Sequence, residues 1–302
     1  MNLKVKINTK ERILMKRNLL LVLVLSLFVI LTGCSNPNEV IDDKTAQQIA
    51  EESFEKWYGI DSYDMDLSMD MKMSVSSETV DISIDGQATV FQNPIKMKMV
   101  MDTMIPGMDQ TMQITQYMVE EGQIVTIYQQ LDGQWYKTVI DDPAMSQMMQ
   151  MDPRENMELF MNNLVQAEIV GEEKVGERDT YKIDLLASGE IFNQVLEDMT
   201  DESLGLNSEM FSKDIFSKIG DMKYTVWIDK NTLETVKCYM DLTDNMRNLG
   251  SAMAEDQDSP EELKEVFSNM EMSMEYSVYN HNQAQDFTIP EEAKNAKEIP
   301  MN

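Results

Sequence analysis

Between Met65 and Val75 the chain alternates without a fault: Met65, Leu67, Met69, Met71, Met73 and Val75 are apolar, and every residue between them is polar. Successive side chains of a strand point to opposite faces, so this stretch is a half-buried β-strand with one face meant for a core. At about 3.3 Å per residue it reaches roughly 36 Å, about twice an ordinary strand. A strand of that length, wet on one side, suits a large curved antiparallel sheet. The same alternation returns in Ile95, Met97, Met99 and Met101, and again in Met272, Met274, Tyr276 and Val278.

The start of the chain has a different logic. Six basic residues (Lys4, Lys6, Lys10, Arg12, Lys16, Arg17) precede an apolar run from Leu19 to Leu31 broken only by Ser26, and the run closes on Leu31-Thr32-Gly33-Cys34. The run is too short for a comfortable membrane span. In this order the three parts resemble the signal peptide and lipobox of bacterial lipoproteins, in which the cysteine takes a diacylglyceryl group and becomes the mature N-terminus. The expected organisation is a leader over 1–33, a tether over 34–43 with Cys34 as the lipid attachment site, and one folded domain over 44–295. Met15-Lys16-Arg17 would itself make an ordinary signal-peptide start.

Removing a leader with six basic residues and one acidic one takes the net charge from −29 to −34. Such a chain will not seek nucleic acid or an anionic membrane surface. Acyl chains on Cys34 are therefore expected to hold it at the outer face of the cell membrane while the acidic domain is repelled. Cys238 remains as the one other thiol, so no disulfide framework and no CxxC motif exist. It alternates with Val236 and Met240, which places it in the core.

Along the domain, Thr45 and Gln48 make a capping box for a helix over 44–58 that ends at Gly59. A meander follows: the methionine strand; a strand through Val80, Ile82, Ile84, Ala88 and Val90 with a kink or bulge at Asp85-Gly86; a turn at Asn93-Pro94; strands through Met97 and through Met112, Ile114, Gln116 and Met118 about a turn at Pro106-Gly107; and a hairpin at Asp132-Gly133 between strands 123–129 and 134–140. Asp152-Pro153 starts a helix whose stripe is Met157, Phe160, Met161, Leu164 and Val165. A strand pair near 167–186 comes next, and two further stripes, Ile191 to Met199 and Met210 to Ile219, lie between it and the following strand. The strands 222–229 and 233–242 meet at Lys230-Asn231. Residues 244–259 are polar, acidic and poorly periodic, which predicts a loop. A short helix from Ser259-Pro260 and a last strand over 270–280 complete the domain.

This order of elements, with Tyr224-Thr225-Val226-Trp227-Ile228-Asp229-Lys230-Asn231-Thr232-Leu233 and the C-terminal Ile289-Pro290-Glu291-Glu292-Ala293, resembles Gram-positive lipoproteins of the LolA, LolB, LppX and LprG group of lipid and lipoprotein carriers. The resemblance implies an α+β fold: a curved antiparallel half-barrel wrapped around a few helices and enclosing an apolar cavity. Its motif speaks for fold more than for ligand.

Methionine is the compositional oddity, 29 in all and 27 once Met1 and Met15 are removed. Three readings stand. Met97, Met99 and Met101, or Met145, Met148, Met149 and Met151, offer thioethers to Cu(I). Alternatively, methionine replaces valine and leucine on inward strand faces as a filled core. The i, i+2 spacing in step with Leu67, Val75 and Ile95 decides for this core over metal. The third reading, preferred because methionine adapts to irregular guests, is a polarizable lining for a lipid or other apolar ligand: Met65, Leu67, Met69, Met71, Met73, Met97, Met99, Met101, Met272, Met274 and Tyr276. With His281 as the single histidine and no GxSxG or HExxH motif, a hydrolytic triad or zinc site has little to build on. No cofactor motif is present.

Overall fold

The computed structural model describes residues 40–41, 44–75, 78–104, 111–122, 124–141, 161–191, 215, 217–255 and 261–299. Cys34 and the leader lie outside them, as do the Pro106-Gly107 turn, Met145 to Met151, the start of the helix at Asp152-Pro153 and most of the two later helical stripes. A small pair, β1 (Val40–Ile41) and β2 (Lys44–Thr45), leads into α1 (Ala46–Trp57). The end of the expected tether thus already pairs with the domain's first residues. The strands that follow are β3 (Ser62–Val75), β4 (Glu78–Gln92), β5 (Ile95–Met104), β6 (Met112–Glu121), β7 (Ile124–Leu131) and β8 (Gln134–Ile140). The second half holds β9 (Leu164–Val175), β10 (Arg178–Ala187), β11 (Met222–Asp229), β12 (Thr235–Asp241), α2 (Thr243–Glu255), α3 (Glu261–Ser268), β13 (Glu271–Tyr279), α4 (Glu291–Lys294) and β14 (Lys297–Glu298).

Twelve strands make one open sheet in the order β14-β8-β7-β6-β5-β4-β3-β13-β12-β11-β10-β9. Every pairing in it is antiparallel except β14 with β8. The meander β3 to β8 is laid down in chain order, and the last long strand, β13, returns to pair with β3, closing the two halves into one surface. This is the α+β, large antiparallel architecture that the alternation requires. The 14-residue β3 is its centre. Its pairing with β4 is regular over the whole length, as is that of β4 with β5, so the expected bulge at Asp85-Gly86 is not there. Gly86 serves packing instead: a Cβ on it would lie 3.2 Å from Met101 Cγ and 3.3 Å from the Val100 carbonyl oxygen. The register shifts occur between Lys182 and Ile183, between Leu186 and Ala187 and between Trp227 and Ile228.

Local chemistry explains most of the turns. Thr45 caps α1, its hydroxyl accepting from the Gln48 amide while the Gln48 side chain accepts from the Thr45 amide. Asp132 and Gly133 both adopt positive φ, as a two-residue hairpin needs. After β11 the Asp229 carboxylate accepts from the amides of Asn231 and Thr232 at 2.7 and 3.0 Å. Beside it, Trp227 lies on the outer face between the ammonium groups of Lys182 and Lys237 and donates its indole N–H to Glu173. Ile228 is buried on the opposite face.

Two further predictions fail. Leu164 and Val165 open strand β9 and do not close a helix; the pairing Leu164 to Ala187 takes them into the sheet. Residues 243–255 form a helix, α2, where the sequence predicts a loop. Its buried side includes Asn245, Leu249, Gly250, Ala252 and Met253, a stripe so short in large apolar residues that hydropathy misses it. Gly250 lets α2 lie directly against α3: a Cβ there would stand 2.3 Å from the Ser268 amide nitrogen.

The helices share one side of the sheet. Ile49, Ala50 and Phe54 of α1, Leu249 and Met253 of α2 and Phe267 of α3 join a single core cluster with the inward residues of β3, β10, β11 and β13. The Ser53 and Thr235 hydroxyls hydrogen-bond at 2.8 Å in that interior. The opposite side is covered in part by the C-terminal segment: Phe287 packs on Tyr117 and Phe91, and the Lys96 ammonium donates to the Phe287 carbonyl oxygen.

Candidate apolar binding face

Register assembles the inward side chains into rows across the strands. One row runs Ile183, Val226, Cys238, Tyr276, Leu67, Gly86, Met101 and Ile114. Its neighbour runs Leu185, Tyr224, Met240, Met274, Met69, Ile84, Thr103 and Met112. Neither holds a charged residue. Charges sit at the alternate positions, such as Asp66, Asp70, Lys72, Asp81 and Asp85, which are exposed.

All eleven residues proposed from the sequence as a lining fall on this face. Ten are buried, and Met97 is half-buried. Met71 faces Met272, Met69 faces Met274 and Leu67 faces Tyr276 across the β3–β13 ladder. Met99 and Met101 lie two strands further on, about 9.6 Å away at ordinary strand spacing. Only Ala88 and Gly86 stand between them and Met65 and Leu67. The Met101 side chain closes over Gly86, where an added Cβ would stand 3.2 Å from its Cγ, so the small residues of β4 are covered by flexible side chains of the neighbouring strands, which can repack. Met73 lies at the end of the row of methionines, opposite Val80.

The titratable groups of this face are held neutral. Burial pushes the Cys238 thiol up to about 12, and burial likewise pushes the Tyr276 hydroxyl beside it well above its ordinary value. A thiol in that state is a small apolar filler, not a nucleophile. Tyr63, inward at the start of β3, is also raised by burial, to about 12, and meets the edge of Trp57 at 5.2 Å.

Three polar residues join the lining that were not proposed from the sequence. A third row runs Val278, Met65, Ala88, Met99, Gln116, Gln129 and Tyr136. It is apolar on the central strands and polar towards β8. Gln116 is 1% exposed and its side-chain NH2 has no hydrogen-bond partner. The signal lay in the sequence, since a glutamine takes an inward place between Ile114 and Met118 in an otherwise apolar alternation.

At the rim, His281 is buried against the edge of Trp57, with Nδ1 3.0 Å from a Glu234 carboxylate oxygen. Arg178 meets the same carboxylate at 3.0 Å and Asp229 at 3.7 Å. Burial of Glu234 opposes its charge, but His281 and Arg178 outweigh that and hold its carboxyl below the ordinary value. This group ties the end of α1 to the β11–β12 hairpin and is structural. On the outer face, β9 to β12 carry a shallow, solvent-open depression with a charged rim (Glu168, Asp184, Lys223 and Asp241) and a lining that also includes Leu185 and Leu186. Among the described residues no three His, Cys, Asp or Glu side chains converge as a metal site. No described helix is long and apolar enough to cross a membrane.

A sequence model built from a protein family matches residues 45–298, nearly all of the domain. The chain belongs to the DUF6612 family. That family is described as one of unknown function, and no curated protein matches the chain. Among solved structures, DUF6612 in this chain is similar to LprF from Mycobacterium bovis, with 14% identity, 82% of this chain and 97% of that one covered, and a TM-score of 0.44. The lipoprotein LppX of Mycobacterium tuberculosis gives 13% identity, 80% and 97% coverage and a TM-score of 0.41. An outer membrane lipoprotein-sorting protein domain from Vibrio parahaemolyticus gives 11%, 82% and 95%, with a TM-score of 0.22.

Proposed function

We propose that this DUF6612 protein is an exported lipoprotein, anchored to the outer face of the cell membrane by a diacylglyceryl group on Cys34, whose inner sheet face binds a lipid or other apolar molecule without catalysing a reaction. The observation that carries the ligand is the face itself. It is continuous over eight strands in each of two rows, free of charge in those rows, and lined at its centre by methionines, whose unbranched thioether chains repack around irregular guests. The membrane, through the acylated cysteine, is the one partner the reading requires. Neither nucleic acid nor a cofactor belongs to it.

The test has two arms. Labelled palmitate should enter the wild-type protein and not Cys34→Ala, and the variant should leave the membrane fraction or stay unprocessed. Acylation that continues in the variant would end the anchoring claim. Native mass spectrometry of the Cys34→Ala chain purified from its host should show a bound lipid. A mass equal to the polypeptide alone under the gentlest conditions would count against the ligand.

A second reading is favoured by one observation. Met69, Met71, Met272 and Met274 are each at most 2% exposed and belong to the common core cluster. A filled methionine core in an interaction lipoprotein would look the same at those four positions, and the empty mass spectrum is its signature.

A further inference from the structure

From the juxtaposition of a buried, unpartnered amide with the apolar rows, we infer that Gln116 is the polar subsite of the inner face and takes a neutral oxygen acceptor, an ester carbonyl between acyl chains. The inference rests on the ligand-binding reading above and specifies the class of lipid.

Gln116 is 1% exposed, yet the NH2 of its side chain donates to nothing. A buried donor left unpaired is costly and uncommon, and it calls for an explanation such as an absent ligand atom. Its surroundings define that atom. Along β6 it lies between Ile114 and Met118, and across the sheet between Met99 and Gln129. Tyr136 follows Gln129 in the same row. The neighbouring inward row holds Val90, Met97, Met118, Ile127 and Thr138. These positions offer amides and hydroxyls and carry no cation. The nearby Lys96, Lys98 and Lys137 alternate to the outer face, where Lys96 is engaged with Asp286 and Phe287 and Lys137 with Glu298. A phosphate or free carboxylate would be buried here without a counter-charge, at a cost one amide cannot offset. An ester carbonyl accepts one hydrogen bond, brings no charge, and stands between two acyl chains that the Met97–Met101 and Ile114–Met118 sides can cover.

The same geometry explains why a glutamine occupies an inward place in a methionine strand. A methionine there would fill the volume with no donor left over, whereas the Gln116 NH2 is left without a hydrogen-bond partner in the fold.

The full Cys34→Ala chain is titrated with dioleoylglycerol and with its diether counterpart, which keeps the chains and hydroxyl but lacks both carbonyls. The diester is expected to bind about tenfold tighter, the size of one well-made hydrogen bond to an otherwise unpaired buried donor. In Gln116→Met that preference should vanish, with the diether bound as before and the ligand-free protein melting no lower than wild type. Equal binding of diester and diether by wild type would overturn the subsite and leave the ligand reading intact. Binding of neither would overturn both. A Gln116→Met protein that melts lower would also overturn the inference, because it would mean the amide supports the fold.

Discussion

Gly250→Ala is the sharpest test of how the helices are seated on the sheet. In a solvent-exposed helix interior this change stabilises by about 1 kcal/mol, because alanine loses less backbone freedom than glycine. Here the added Cβ would stand 2.3 Å from the Ser268 nitrogen and 2.7 Å from both the Phe267 carbonyl carbon and the Ser268 Cα. An ordinary contact needs about 3.5 Å, so α2 and α3 must part by roughly 1 Å. Backbone cannot swing aside as a side chain can. Parting the helices loosens Phe267, Leu249 and Met253, all buried in the common core. Overpacking of that kind costs about 1–3 kcal/mol, with the upper end expected for a clash with main chain. Net of the helix-propensity gain, the variant should lose about 1–2 kcal/mol, or roughly 2–8 °C in Tm for a domain of this size. Thermal unfolding followed by far-UV circular dichroism reads the shift. The exposed neighbour substitution Ser251→Ala, expected within about 0.5 kcal/mol of wild type, is the control. A Gly250→Ala protein that melts higher than wild type would refute the direct helix contact.

Three other outcomes follow from the packing and the charges. Met69→Ala should cost about 2–5 kcal/mol in urea unfolding, whereas Met69→Leu, which keeps the volume, should cost less than about 1.5 kcal/mol. In the Cys34→Ala chain the Cys238 thiol, buried and pushed up to about 12, should be silent to a thiol reagent at pH 8 and react fully once guanidinium unfolds the protein; fast labelling of the native state would show an open core. Glu234 is held below its ordinary value of 4.5. Its ion pairs therefore add stability above that pH and lose it as pH falls through the lower folded value. Glu234→Gln should cost about 1 kcal/mol at neutral pH and flatten the acid limb of a stability–pH curve, and an unchanged acid limb would remove His281 and Arg178 as the cause.

The strands were legible because their signal is binary. Residues such as Met69 and Met71 face inward and Asp70 and Lys72 outward, and no local propensity has to be weighed against that alternation. The proposed lining was read from the same pattern, and its residues share one face because the register of β3, β4, β5 and β13 is regular. What failed was read from weaker cues. The 243–255 helix has only Leu249 and Met253 as large buried apolar residues, and the rest of its seat is close backbone approach at Gly250 and the Asn245 hydrogen bonds to the Ile219 and Asp221 carbonyls, which hydropathy cannot register. Leu164 and Val165 satisfy a helical stripe and a strand equally, and pairing with β10 decided between them. Gly86 sits where a bulge would, but its role is to leave room for Met101, a residue distant in sequence. Gln116 stood in plain view in the alternation. Only burial without a partner, a tertiary fact, marks it out.

The most direct test places a guest on the molecule. An acyl probe carrying a diazirine is bound to the Cys34→Ala chain, illuminated, and its adducts are mapped by peptide mass spectrometry. Adducts on Met97 to Met101, Ile114 to Met118 and the inward side of β3 are predicted. Adducts confined to the apolar leader Leu19 to Leu31 or to the outer face would contradict the account.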